Sequence, residues 1–189
     1  MTKLKVTILG CGTSVGVPAL GELGWGTCDP SNPKNRRQRC SVLVEINNST
    51  ILIDAGPDIR NQLLPLNINK IDALMITHTH TDHIAGLDEM RGFYYPNKIK
   101  VPVYSTLDHG KELFQKFSYL FSKKDNSPTY FQPPLELKSI DANDNFFIND
   151  VNIKSNFQKH GFSYSVGYTF NDLFSYSTDI SQITQNHID

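Results

Sequence analysis

Cysteine is scarce in this chain, three among 189 residues. Cys11, Cys28 and Cys40 are odd in number and widely spaced, which argues against a disulfide framework and for a reducing compartment, the cytoplasm. Excess charge is lacking as well. A net charge of −1 offers no general attraction to nucleic acid or to an anionic membrane. Long apolar runs are missing: the longest fall well short of a membrane span, and the N-terminus has no apolar signal core. Nor is there a repeat, a low-complexity block or a linker. What is left is a soluble cytoplasmic chain, 39% apolar and 20% charged, read as one domain over residues 1–189 and long enough to bury a core.

What the chain does have is Thr77-His78-Thr79-His80-Thr81-Asp82-His83. This run follows Ile71 to Ile76, an apolar segment that reads as a buried strand, so the cluster sits where a rigid sheet hands over to a loop. In extended backbone the two-residue spacing of His78 and His80 puts both rings on one side. Asp82 and His83 form a second group, opening an amphipathic helix that runs to about Phe93. Imidazole and carboxylate are the ligands of zinc, manganese or iron, and two pairs suit two ions better than one. The alternative is a solvated, histidine-rich loop. Half of the chain's 6 His in one strand-to-helix junction favour metal.

Elsewhere, Leu4 to Leu9 reads as a strand leading into a glycine-rich turn. Ser41 to Ile46 and Thr50 to Ile53 read as a hairpin around Asn47-Asn48-Ser49, with Asp54 at its end. Asp58 to Leu64 is a short helix stopped by Pro65. Val101 to Ser105 is a strand, Asp108 to Leu120 a helix, and Phe121 to Pro134 a surface loop. Two strands around Asn149-Asp150 fill Phe146 to Phe157, and Ser165 to Phe170 pairs with Leu173 to Ser177 across Asn171-Asp172. This is an α/β chain.

His78-x-His80-x-Asp82-His83 resembles the metal motif of the metallo-β-lactamase-fold hydrolases. Gly10-Cys11-Gly12-Thr13-Ser14-Val15-Gly16-Val17-Pro18, Cys28-Asp29-Pro30, Asn35 to Ser41, Leu52 to Asp58 and Gly86 to Arg91 are similar to one branch of them. That branch holds the cyclic-phosphate phosphodiesterases of phosphonate breakdown. The resemblance implies an αββα sandwich of two mixed sheets packed face to face, helices outside and metals at one edge. It makes His160 the third imidazole of the first metal site, and Asp179 the carboxylate bridging both metals. On residue type alone His160 is a surface histidine at a strand end and Asp179 a helix cap.

Asp54, ending a buried strand, reads as a carboxylate that orients a ligating imidazole, or as an ordinary turn aspartate. Lys34, Arg36, Arg37 and Arg39 form either a solvated face or a patch gripping substrate phosphate. Cys28 and Cys40 stand too far apart for a structural zinc clamp of the kind some relatives carry. Cys11 reads as a small buried residue, His109 as cap region or surface, and His187 as a solvated tail.

Relatives of this branch continue some tens of residues past the Asp179 position and end the second metal site with a further histidine. Ser181 to Asp189 offers none, so the domain reads as incomplete at its C-terminus, with the second site weak or empty. Val166, Tyr168, Phe174 and Tyr176 are then expected to lie uncovered on the second sheet, so that the chain self-associates or is marginally stable. The expected activity is phosphodiester hydrolysis on a small or cyclic substrate. Two divalent ions, zinc or manganese, about 3.5–4 Å apart would share a hydroxide, with Asp82 orienting it. A tRNA 3′-end ribonuclease, a thioester or lactam hydrolase, and an inactive truncated remnant are the alternatives.

Overall fold

The computed structural model describes residues 3–183. Six strands form the first sheet in the order β1-β2-β3-β4-β5-β6: β1 (Leu4–Gly10), β2 (Ser41–Ile46), β3 (Ser49–Ile53), β4 (Ala73–Met75), β5 (Val101–Thr106) and β6 (Leu135–Ile140). The β2–β3 hairpin turns at Asn47, whose left-handed φ of 53° suits asparagine. From β3 onward the strands run parallel, which requires crossovers, and these carry the helices. They are α1 (Ile59–Leu63), α2 (Thr81–Ile84), α3 (Arg91–Asn97) and α4 (Leu107–Phe121).

Both faces of this sheet are covered, which explains its nearly unbroken apolar strands. Leu43, Leu52, Leu74 and Val103 pack towards the helices, against Ile59, Ile84, Leu87 and Leu113. Their neighbours Val42, Val44, Ile51, Ile53 and Met75 point the other way, into a second cluster with Ile153, Val166, Tyr168 and Phe170. These last belong to the second sheet, ordered β10-β9-β8-β7: β7 (Asn145–Ile148), β8 (Val151–His160), β9 (Ser163–Phe170) and β10 (Phe174–Tyr176).

The second sheet corrects one expectation. It is antiparallel throughout rather than mixed. Its strands are joined by tight turns with left-handed residues at Asn149, Gly161, Asn171 and Asp172, and such turns can only reverse the chain. A second correction concerns the apolar surface expected on this sheet. Val166 and Tyr168 are buried, and Phe174 and Tyr176 are half-buried against the same inter-sheet cluster. The side chains that seemed to need a cover are the core between the sheets, so that basis for self-association falls away.

The helix expected from Asp82 to Phe93 is also broken, into α2, a 3-10 turn at Leu87–Met90, and α3. The cause is a close crossing. The Gly86 N–H leaves the helix to donate to the Ala55 carbonyl at 2.8 Å, and Ala55 N–H donates to the His83 carbonyl at 2.8 Å. A Cβ on Gly56 would lie 2.0 Å from the Asp82 carbonyl oxygen, and one on Gly86 2.1 Å from that of Gly56. Only glycines allow the end of β3 to approach α2 so closely. Strand β6 is an addition, paired with β5 where no strand was foreseen. Among the described residues no helix is long and apolar enough to cross a membrane.

Candidate metal centre

Strand β4 ends at Met75, and the backbone that follows is held by neighbours on both sheets. Val166 N–H donates to the Thr77 carbonyl at 2.9 Å, and the Tyr168 hydroxyl donates to the Ile76 carbonyl at 2.6 Å. From the β3 side, the Asp54 carboxylate accepts from Thr77 N–H at 2.8 Å and from the Thr77 hydroxyl at 2.7 Å. Asp54 sits in left-handed backbone (φ 59°), as does Asp179 (φ 52°). Aspartate is one of the few side chains that adopt this region readily.

On this frame two donor sets converge. The first joins His78, His80 and His160, whose ligating nitrogens all lie within 4.8 Å of one another. His80 Nδ1 stands 3.0 Å from His78 Nε2 and 3.2 Å from His160 Nε2. Ligands sharing one tetrahedral ion at about 2.0–2.1 Å stand roughly 3.3 Å apart, so both separations from His80 suit a common ion. The second set joins His78, His83 and Asp179 within the same limit. Asp179 Oδ2 is 3.1 Å and Asp82 Oδ2 3.3 Å from His83 Nε2. Asp179 thus reaches a member of each group. Asp82 meets His83 but closes no set of three within 4.8 Å among the described residues.

The tautomers follow from Asp54. Its Oδ2 is 2.6 Å from His83 Nδ1, and a carboxylate only accepts, so His83 carries its proton on Nδ1 and turns a lone pair outward from Nε2. The Thr77 hydroxyl spends its single proton on Asp54. It must therefore accept from His78 Nδ1, 3.1 Å away, which leaves His78 Nε2 as a lone pair too. One fully buried carboxylate sets both rings.

This arrangement requires a positive charge. His83 Nε2 faces two carboxylate oxygens, acceptors all three, and is tolerable only with a proton or a cation among them. Burial opposes a charged His83, but Asp54, Asp179 and Asp82 together push its pKa up to about 11. Without an ion, that charge is a second proton on His83 Nε2, and its hydrogen bond holds Asp179 well below the usual carboxylate range, against the opposing effect of burial. His78 is the reverse case: burial and the neighbouring His83 hold it down at about 3, so it stays neutral and ready to ligate. Nitrogen and oxygen donors around a demand for positive charge fit a divalent cation such as zinc or manganese. Burial falls from His78 and His83 through His160 to the exposed His80, so the cluster opens at an edge of the sandwich.

The basic segment is only partly free. Arg39 is engaged by Asp58, through Nε at 2.9 Å and through its backbone N–H at 2.9 Å. Arg37 Nη1 donates to Cys11 Sγ at 3.0 Å, and the Arg36 guanidinium lies 5.2 Å over the Trp25 ring. Both are exposed. Cys11 is exposed rather than buried, because it faces Arg37 across the turn. His109 is buried in the first turn of α4, not at the surface, and stacks on Tyr164 with ring centroids 4.4 Å apart. His187 and the end of the tail lie outside the described residues.

Sequence reading missed the support beneath Asp179. The Ser165 hydroxyl reaches the Thr178 carbonyl at 3.1 Å, and Gln158 Nε2 donates to Ser177 Oγ at 2.5 Å. A buried glutamine and serine paired across β8 and β9 were the available signal. Sequence alone assigns Cys40 no role once a zinc clamp with Cys28 is excluded. Burial pushes its thiol up, while Thr178 beside it and the charge of His83 draw it down, which places it against the same cluster.

A family model described as a beta-lactamase superfamily domain matches residues 49–189. The chain belongs to that superfamily. It has the metallo-β-lactamase fold. A solved diphosphatase from the PhnP family superposes with a TM-score of 0.75 at 32% identity, covering 90% of this chain and 63% of that one. A Porphyromonas gingivalis protein named octanoyltransferase is 29% identical over 98% of this chain and 37% of its own length. Ribonuclease Z of Macrococcus caseolyticus is 28% identical over 77% of this chain and 47% of its own. The chain therefore spans about a third to two thirds of the length of these relatives.

Proposed function

We propose that this superfamily member is a metal-dependent phosphodiesterase acting on a small or cyclic phosphodiester, with two divalent ions, zinc or manganese. The observation that carries the reading is the pair of donor sets meeting at His78, with Asp179 reaching into both. His78, His80 and His160 would hold one ion, and His83, Asp82 and Asp179 the other. Ions bound there supply charge neutralisation at phosphorus and a water acidic enough to react near neutral pH.

The chain's own residues do the rest. Asp54 and Thr77 fix which nitrogen each of His78 and His83 offers. Asp82, half-buried at the start of α2 and 3.3 Å from His83, is the residue to orient the attacking water. Arg36 and Arg37, exposed on a segment that ends at Cys40 beside Thr178, suit a substrate phosphate; guanidinium forks match its oxygens. Arg39, tied to Asp58, serves to hold that segment in place. Likeness to a diphosphatase and to a ribonuclease supports phosphate-ester chemistry over lactam chemistry.

The test is an assay of the purified chain with added manganese or zinc on bis-p-nitrophenyl phosphate and on nitrocefin. Release of p-nitrophenol with nitrocefin left intact is expected. Robust nitrocefin turnover without diesterase activity would overturn the assignment.

A further inference from the structure

Helix α4 passes behind the metal loop, and two of its side chains close on a single residue there. Thr79 stands between His78 and His80. Those two rings turn to the donor cluster, while the Thr79 side chain is buried on the opposite side. Its hydroxyl donates to Glu112 Oε2 at 2.5 Å, and its carbonyl accepts from Lys116 Nζ at 3.0 Å. Glu112 and Lys116 are one helical turn apart and 3.7 Å from each other, with side chains about half exposed. An ion pair of that kind contributes little by itself. The geometry gives the two residues a different task.

We propose that Glu112 and Lys116 are positioning residues for the metal loop, gripping the side chain and the peptide of Thr79 so that His78 and His80 present their nitrogens at one point. This rests on the reading of the cluster as a metal site. The physical need is plain. Thr77 to His80 lies beyond the end of β4, so no strand ladder fixes its peptide planes. Asp54 and Val166 hold Thr77, and α2 begins after His80, which leaves the intervening peptide to be fixed from outside the sheet. A charge-assisted hydrogen bond to the side chain and a second bond to the carbonyl supply that restraint. Rotating the Thr79 peptide would swing both rings away from each other, whereas holding it keeps His78 Nε2 and His80 Nδ1 3.0 Å apart.

The experiment uses the full chain without a histidine tag, stripped with a chelator and titrated with zinc against a chromophoric chelator. Glu112→Ala is expected to weaken zinc binding about 10–100-fold, the usual effect of removing a group that orients a ligand. The metal-free melting temperature should fall by only a few degrees, the cost of leaving the Thr79 hydroxyl without its partner. Glu112→Gln, which still offers an acceptor oxygen, should recover most of the affinity, and Lys116→Met should lose part of it. Adding Thr79→Val to Glu112→Ala should weaken binding no further, since both remove one bond. Wild-type affinity in Glu112→Ala would overturn the proposal, as would a lower metal-free melting temperature with unchanged affinity. If the unaltered chain takes up no zinc, the metal-site reading fails first and this proposal with it.

Discussion

At the scale of single residues, Asp54 does more than its position at a strand end suggests. It accepts from Thr77 twice and from His83 once, and through Thr77 it also decides the tautomer of His78. Asp54→Asn puts a donor where only acceptance works. It is expected to weaken metal binding about 10–100-fold and to destabilise the fold by about 3–5 kcal/mol, as breaking a buried charged network does. Metal titration and urea unfolding measure the two effects; wild-type values in both would remove Asp54 from its role. His109 makes a separate prediction. Burial lowers its pKa, against the pull of Glu112 and Asp108, so the folded chain keeps it neutral where the unfolded chain, at 6.5, takes up a proton. Its contribution is therefore complete above pH 6.5 and is lost progressively as pH falls below it. In metal-free protein, His109→Phe should lose stability less steeply than wild type between about pH 6.5 and 5. Parallel curves would show that His109 does not carry this dependence.

At the scale of elements, the sequence was most readable where a pattern was local. The motif at His78 to His83 declared both donor pairs, and the asparagine turns marked the hairpins. What it concealed was contact between distant segments. His160 and Asp179 carry no local signal, and only family resemblance singled them out before β8 and β10 brought them to His80 and His83. The break after α2 was hidden for the same reason: apolar residues at Ile84, Leu87 and Met90 fit one helix, and the diversion of Gly86 to Ala55 depends on a crossing strand end. β6 was lost because its alternating Leu135-Glu136-Leu137-Lys138 is short and directly follows Pro133-Pro134 at the end of a long loop. The crossing is testable. Gly56→Ala sets a methyl against the Asp82 carbonyl, which must shift. A loss of about 1–3 kcal/mol is expected from such overpacking, together with weaker metal binding, since Asp82 and His83 would move. Denaturant unfolding with unchanged midpoint would show that the approach is looser than described.

At the scale of the whole molecule, the two sheets share one core and one edge, and the metal loop is where both grip the same few residues. Thr77 is bonded from β3's end and from β9, Thr79 from α4, and Asp179 rests on β8 and β9. The inter-sheet packing of Val166 and Tyr168 therefore serves the site as well as stability. The central claim is that this shared edge holds metal through His78, His80 and His160. Elemental analysis of tag-free protein beside its His80→Ala variant tests it most directly. The account predicts bound divalent metal in the unaltered chain and loss of most of it in the variant; equal metal content in the two proteins would contradict it.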